Sequence, residues 1–313
     1  MDISIVIPFL NEAESLPELT EWIQRVVREN NLSYEIILVD DGSSDESWPV
    51  ARDLRKKDPN IRGIKLQRNY GKSAALNEGF HAARGDVVIT MDADLQDSPN
   101  EIPELRRMIV QDRFDLVSGW KKVRHDPLSK RLPSKFYNWF TSKVSKIKLH
   151  DFNCGLKAYN LKVVKSIEVY GEMHRYIPLL AKWAGFKKIG EKVVEHHARK
   201  YGKSKFGMGR LITGALDIVS ILFVGKYGKS PMHFFGVWGV IFFLIGFGIS
   251  IYLIISKIVQ ADFALTNRPG FFLALTTLII GVQLFLAGFV GELISRSAPG
   301  RNTYLVEEKI GID

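Results

Sequence analysis

Val87-Val88-Ile89-Thr90-Met91-Asp92-Ala93-Asp94-Leu95-Gln96-Asp97 is the stretch on which the fold turns. Three aliphatic residues and a threonine read as a short strand buried on both faces, and the acids after it mark that strand's carboxyl end. The strand reading spans Asp86–Met91, and upstream of it lie a helical pattern over Ser73–Ala83, a strand over Ile61–Leu66, a helix over Asp45–Lys57 and a strand over Tyr34–Val39. Earlier still, Glu14–Glu29 sets Leu16, Leu19, Trp22, Ile23, Val26 and Val27 at helical spacing, and Ile3–Phe9 is a first strand. Downstream, Pro99–Gln111 reads as a helix and Asp115–Gly119 as another strand. Strands and helices alternating in this way predict an α/β fold, a mostly parallel sheet wrapped by helices, with any ligand outside the carboxyl ends of the strands.

The chemistry-bearing residues follow the strands as that rule requires. Asp92 and Asp94, two carboxylates one residue apart at a strand end, can both reach a hard divalent cation such as Mg²⁺ or Mn²⁺; the same pair can also cap the helix starting near Pro99. No Cys/His set has the spacing of a zinc site. The exits of the first two strands, Pro8-Phe9-Leu10-Asn11-Glu12 and Val39-Asp40-Asp41-Gly42-Ser43, offer acids and amides to a nucleobase and ribose, or serve as helix caps. The G-x-G-x-x-G turn of a dinucleotide-binding strand is absent. Gly71-Lys72-Ser73 ends like a phosphate loop, but Leu66 stands where that motif needs glycine, which excludes an ATPase of that type. Lys72 can still face a phosphate from a helix N-terminus.

The 313 residues carry a net charge of +9, which favours anionic partners. The single cysteine, Cys154, excludes an internal disulfide framework. Met1 leads directly into the first strand, so no signal peptide is read. From Phe234 to Ser256 and from Pro269 to Gly291 no residue is charged. Each run of about 23 residues can cross about 30 Å of hydrocarbon as a helix. Lys226 and Lys229 precede the pair and Arg296 and Arg301 follow it, which predicts both flanks on the cytoplasmic side. The expected domains are a cytoplasmic domain over 1–210, a juxtamembrane amphipathic segment over 211–231, spans over 232–257 and 269–292, and a cytoplasmic tail over 293–313. Within the first, the basic and aromatic stretch near 130–149 reads as a helix on the membrane surface.

Ile7–Glu12, Val39–Ser43, Arg68–Gly79 and Met91–Asp97 together resemble glycosyltransferase family 2. His174–Pro178, Arg199–Phe206 and the two apolar runs are similar to its polyisoprenyl-phosphate (dolichyl/undecaprenyl-phosphate) branch. The resemblance implies a GT-A-type fold with interfacial amphipathic helices, and a metal-dependent, inverting transfer of a sugar from a nucleotide-sugar to polyprenyl phosphate in the cell membrane. A uridine nucleotide and glucose are the donor expected, with a GDP-mannose enzyme the alternative; a homo-oligomer is also implied. Residue by residue, Pro8, Glu12, and Asp40 or Asp41 would hold the nucleoside. Asp92 and Asp94 would ligate the metal, with Gln96 beside them, and Asp151 would lie near the transferred sugar. Arg124, Arg131 and Lys135 fall where the acceptor phosphate is gripped, and Arg199, Ser204 and Lys205 where a loop closes over the donor diphosphate.

Other functions fit less of the sequence. A processive polysaccharide synthase needs a Q-x-x-R-W motif that is absent. A transporter needs ionisable residues inside its spans, and Gln283 alone is poor material. Nucleic-acid binding explains the charge but neither the acidic pair nor the spans, and a non-catalytic scaffold leaves Asp92 without a task.

Overall fold

The computed structural model describes residues 1–122, 138, 141–143, 145–198, 200–201, 231–260, 264–297 and 306–311. The chain forms two compact units, Met1–Ala215 with Asn302–Asp313, and Leu216–Arg301.

The first unit is built on β1 (Ile3–Phe9), β2 (Tyr34–Asp40), β3 (Ile61–Leu66), β4 (Val87–Thr90), β5 (Leu116–Trp120), β6 (Lys157–Asn160), β7 (Ile189–Val193) and β8 (Val306–Ile310). They form one sheet in the order β7-β5-β6-β4-β1-β2-β3-β8. All run one way except β6 and β8, which pair antiparallel to their neighbours. Helices α1 (Ser15–Glu29), α2 (Ser47–Lys57), α3 (Lys72–Ala82) and α4 (Ile102–Val110) fill the crossovers. Every residue of β1 is buried, because helices cover both faces of a parallel sheet. Leu16, Leu19, Ile23, Val26 and Val27 of α1 pack with Ile5, Ile7, Leu38 and Ile89 in the main core. Each such aliphatic side chain stabilises the fold by about 1.5–3 kcal/mol. The elements read from the sequence up to β5 agree with these to within a few residues, and the mostly parallel α/β fold stands.

Two features of the sheet create the site. The ladder between β1 and β4 ends at Val6 and Thr90, while β1 stays paired with β2 as far as Phe9 and Asp40. Strands therefore diverge at the carboxyl end of β4, the switch point where an open α/β sheet leaves a crevice. Pro8 lies beyond the last β4 pair, on a side where no donor is needed, so its missing N–H costs nothing there. The second feature is β6, which lies between β4 and β5 and brings residues 151–157 alongside Asp92.

Residues 293–313, expected as a tail, contribute a strand instead. β8 covers the free edge of β3, with Ile310 packed on Gly63 and Trp48 Nε1 donating to Glu308 Oε2 at 3.0 Å. Arg62 Nε donates to the Gly311 carbonyl at 3.0 Å, while its guanidinium forms a buried ion pair with Glu35. Glu35 also accepts from the Ser4 hydroxyl at 2.6 Å and the Arg84 N–H at 2.8 Å, so the buried charges are fully partnered.

The second unit is an antiparallel pair of helices, Pro231–Gln260 and Pro269–Ser297. Both are long and apolar enough to cross a membrane. Glycine seams bring their backbones together: a Cβ on Gly239 would lie 2.8 Å from the Gly281 carbonyl, and one on Gly246 2.6 Å from Thr277 Oγ1. The outward faces are apolar, with Leu244 59% and Ile258 75% exposed, unlike the core helices of a water-soluble domain. Of the two segments expected on the membrane surface, residues 211–230 of one and residues 130–137, 139, 140 and 144 of the one near 130–149 lie outside the described residues.

Candidate active site

Asp92 leaves β4 at the divergence point and enters a pocket that it shares with Pro8, Lys72, Asn153, Lys157 and His174. Its carboxylate forms an ion pair with the Lys72 ammonium. Burial opposes ionisation of Asp92, but Lys72 first, then Lys121 and Lys157, outweigh it and hold the carboxyl well below its ordinary range. A Cβ at Gly155 would lie 2.5 Å from Asp92 Oδ2, so only glycine leaves room for this carboxylate. The Thr90 hydroxyl donates to the Gly155 carbonyl at 2.8 Å and fixes that approach.

The acidic loop then turns sharply. Leu95 adopts a positive φ of 59°, a conformation costly for a branched side chain and found where surrounding structure imposes it. Asp94 Oδ1 accepts the Gln96 N–H at 3.2 Å, and the Gln96 carbonyl accepts from His197 N–H at 2.9 Å. Asp97 is fully buried, with Lys121 Nζ 2.7 Å from its Oδ1. Burial disfavours the Lys121 cation, yet Asp97 more than compensates and raises the amine above its ordinary range.

The exits of β1 and β2 brace each other. The Asn11 N–H donates to Ser43 Oγ at 2.9 Å, Ser44 N–H to Asn11 Oδ1 at 2.9 Å, and Glu12 N–H to Ser47 Oγ at 2.8 Å. Asp40 Oδ1 accepts the Ser43 N–H at 2.8 Å; its buried Oδ2 has no hydrogen-bond partner among the described residues. Asp41 receives the N–H groups of Tyr70 at 2.8 Å and Gly71 at 3.0 Å, and so holds the loop that leads into α3. Burial pushes its carboxyl up to about 6 despite those donors. Capping and nucleoside contact were both open from sequence for Asn11, Asp41 and Ser43; in the structure all three make internal braces.

Lys72 opens α3 next to Asp92 rather than beside an open solvent face. Ser73 Oγ accepts the His174 N–H at 3.0 Å and sits 3.1 Å from the His174 ring Nδ1. Burial first, then the Lys72 and Arg175 cations, keep this imidazole neutral. Asp151 is 1% exposed, its Oδ1 accepting the Asn153 N–H at 3.0 Å and its carbonyl the Ser118 hydroxyl at 3.2 Å. It shapes the turn that delivers Asn153 and Gly155 to the pocket. Pro8, Lys72 and Asp92 meet in the pocket; Asp40 ends β2, and Glu12, Asp41, Asp94, Gln96 and Asp151 stand in the loops that follow the strands or lead into them. Arg124, Arg131, Lys135, Arg199, Ser204 and Lys205 lie outside the described residues. Lys157, Gly155 and the Asp97–Lys121 pair are the residues that sequence reading missed, because nothing marked β6 as a neighbour of β4.

Residues 4–167 match the model of the family described as "Glycosyl transferase family 2", and the chain belongs to that family. Its relatives narrow the class. A dodecaprenyl-phosphate galacturonate synthase of Rhizobium johnstonii is 35% identical over 300 residues, 95% of this chain and 88% of that one. An undecaprenyl-phosphate 4-deoxy-4-formamido-L-arabinose transferase of Aeromonas hydrophila is 35% identical over 296 residues, 94% and 88% of the two chains. Among solved structures, glucosyl-3-phosphoglycerate synthase from Mycobacterium tuberculosis in complex with Mn²⁺, UDP and its product superposes with a TM-score of 0.54 at 19% identity, over 72% of this chain and 79% of that one. The last likeness establishes the shared GT-A-like fold. The family resemblance read from the motifs therefore holds, and the chain is a glycosyltransferase whose relatives act on polyprenyl phosphates.

Proposed function

We propose that the protein transfers a sugar from a nucleotide-sugar to a polyprenyl phosphate at the cytoplasmic face of the cell membrane, with inversion at the anomeric carbon. The observation that carries this reading is the ion-paired Asp92 in a pocket at the β1–β4 divergence, in a chain whose full-length relatives are named for that transfer. Support for a hairpin with both ends on one side comes from β8: it follows the second apolar helix, yet joins the sheet that precedes the first. The catalytic domain of 1–210 therefore includes the strand at 306–310 in this reading.

Asp92 and Asp94 would hold a Mg²⁺ or Mn²⁺ ion, with Gln96 beside them. Two carboxylates and an amide oxygen are hard donors of the kind such an ion takes, although among the described residues no group of three or more His, Cys, Asp or Glu side chains gathers into a cage. Mg²⁺ characteristically takes one or two carboxylates and completes its shell with substrate phosphates and water. An ion held there would supply positive charge against the nucleoside diphosphate leaving group. Lys72 adds a positive charge at the same point, and Arg199, Ser204 and Lys205 would close over the diphosphate. Pro8, Glu12, Asp40 and Asp41 would frame the nucleoside.

The acceptor is a phosphate monoester with a second pKa of about 6, an oxyanion near neutral pH. Its oxygen forms the new bond to the anomeric carbon as the bond to the diphosphate breaks on the opposite face, and no proton need be removed. Asp151, with its carboxylate engaged by Asn153, orients the 151–155 turn instead of acting as a base. Arg124, Arg131 and Lys135 would offset repulsion between the two phosphate groups. The donor expected is a UDP-hexose, but the relatives' names carry different sugars, so the pocket of this chain must select its own. Asp92→Ala should fold and insert yet transfer no sugar. Retained transfer would remove the metal-site assignment, and retention at the anomeric carbon would contradict the single displacement.

A further inference from the structure

Lys72 is the first residue of α3, and a cation is out of place there. The start of a helix carries partial positive charge and favours anions, and the first turn of α3 holds no acid to offset the lysine. Its ammonium turns instead to Asp92 and forms an ion pair in which each side chain remains a third exposed. A pair so open to water can separate at little cost.

The charges behind Asp92 are matched more deeply. Asp97 is fully buried with Lys121 Nζ 2.7 Å from its Oδ1. Lys157 lies in the field of Asp151, and its ammonium donates to the Cys154 carbonyl. Three aspartates are thus set against three lysines, and of these pairs Lys72–Asp92 is the exposed one.

On the reading above, Asp92 is also a ligand of a divalent ion. One carboxylate serving an ammonium and a dication together would bring two like charges close, where they repel strongly. Lys72 must therefore leave Asp92, unless an anion arrives to hold both cations. A nucleoside diphosphate is such an anion, and the start of α3 favours its phosphate oxygens as well.

We infer that Lys72 is a built-in competitor for the divalent ion, holding Asp92 until a nucleoside diphosphate draws the ammonium onto its phosphate oxygens. Ion and nucleotide then bind as a pair, and the ion alone binds weakly. This rests on the metal site proposed at Asp92 and Asp94, and adds the order in which that site fills. A lysine with only a structural role would give no gain of ion affinity on its removal.

Full-length protein in detergent is titrated with Mn²⁺ alone, free ion being counted by electron paramagnetic resonance, and calorimetrically with Mn²⁺ plus UDP or GDP. The parent should bind Mn²⁺ with one of the nucleotides, and Mn²⁺ alone at least about tenfold more weakly. Lys72→Met should bind Mn²⁺ alone at least about tenfold more tightly than the parent does. Lys72→Gln should show the same gain, so the result does not hang on the folding of one variant. Adding Asp92→Asn to Lys72→Met should abolish the gain; a gain that persists would overturn the inference. Mn²⁺ alone binding the parent and both Lys72 variants equally, with Mn²⁺ and nucleotide still bound together, would overturn it and leave the metal site standing. Nucleotides bound no better with Mn²⁺ than without it would contradict the metal site itself, and the inference with it.

Discussion

Gly155 and Asp92 are held so close that the glycine acts as part of the site. Gly155→Ala would push a methyl group to 2.5 Å from Asp92 Oδ2, so the carboxylate must leave its place beside Lys72. We expect transfer to fall at least tenfold with a melting temperature within a few degrees of the parent, read by product assay and thermal unfolding. Asp41 supplies a second test. Its carboxyl, at about 6 in the fold against an ordinary 3.8, keeps protons between pH 4 and 6 that the unfolded chain has released. The stability it contributes is complete below pH 4 and is lost as pH rises to about 6. Asp41→Asn should flatten that slope in melting temperatures measured from pH 4.5 to 6.5; an unchanged slope would remove Asp41 as its source. Asp92 and Pro8 were legible in the sequence because strand ends advertise themselves. Lys157 and Gly155 were not, because their importance comes from the pairing of β4 with β6, which joins Thr90 to the distant Lys157 and which no local pattern encodes.

The elements that sequence identified are those whose burial imposes a period. β1, with seven buried residues, and α1, with its apolar stripe, both show one. β6, four residues including a buried lysine and an asparagine, and β8, with its glutamates and lysine, carry no such pattern and form because neighbours offer them a ladder. Two substitutions test how elements hold together. In Arg62→Ala, Glu35 would keep its buried charge without a counter-ion, and the Gly311 carbonyl would lose its donor, so the domain should lose about 3–5 kcal/mol. Unfolding in urea reads this, and a loss below about 1 kcal/mol would mean the network is not a fastening for β8. Gly79→Ala on α3 would place a Cβ 2.3 Å from Val6 Cγ1 of β1. Alanine's helix preference returns about 1 kcal/mol, and overpacking costs about 1–3 kcal/mol. The net effect should be a lower melting temperature.

Taken as a whole, the molecule is a catalytic sheet whose chain passes out into an apolar hairpin and returns to close the sheet's edge. If the hairpin crosses a bilayer as proposed, that connectivity would place both of its flanks on one side. Cys154 is 2% exposed and burial pushes its thiol up to about 12, so it gives little background to thiol labelling. Single cysteines placed at Glu29 in the sheet domain and at Asn267 in the exposed turn between the apolar helices should therefore label from opposite sides of sealed membrane vesicles. Labelling from the same side would exclude the hairpin. The reaction itself is tested most directly by mixing detergent-purified protein with undecaprenyl phosphate, Mg²⁺ or Mn²⁺, and each radiolabelled nucleotide-sugar in turn. Label should enter the organic phase with one donor, be abolished by chelator and be absent in Asp92→Ala. Folded protein that leaves every donor's label in the aqueous phase would contradict the reaction.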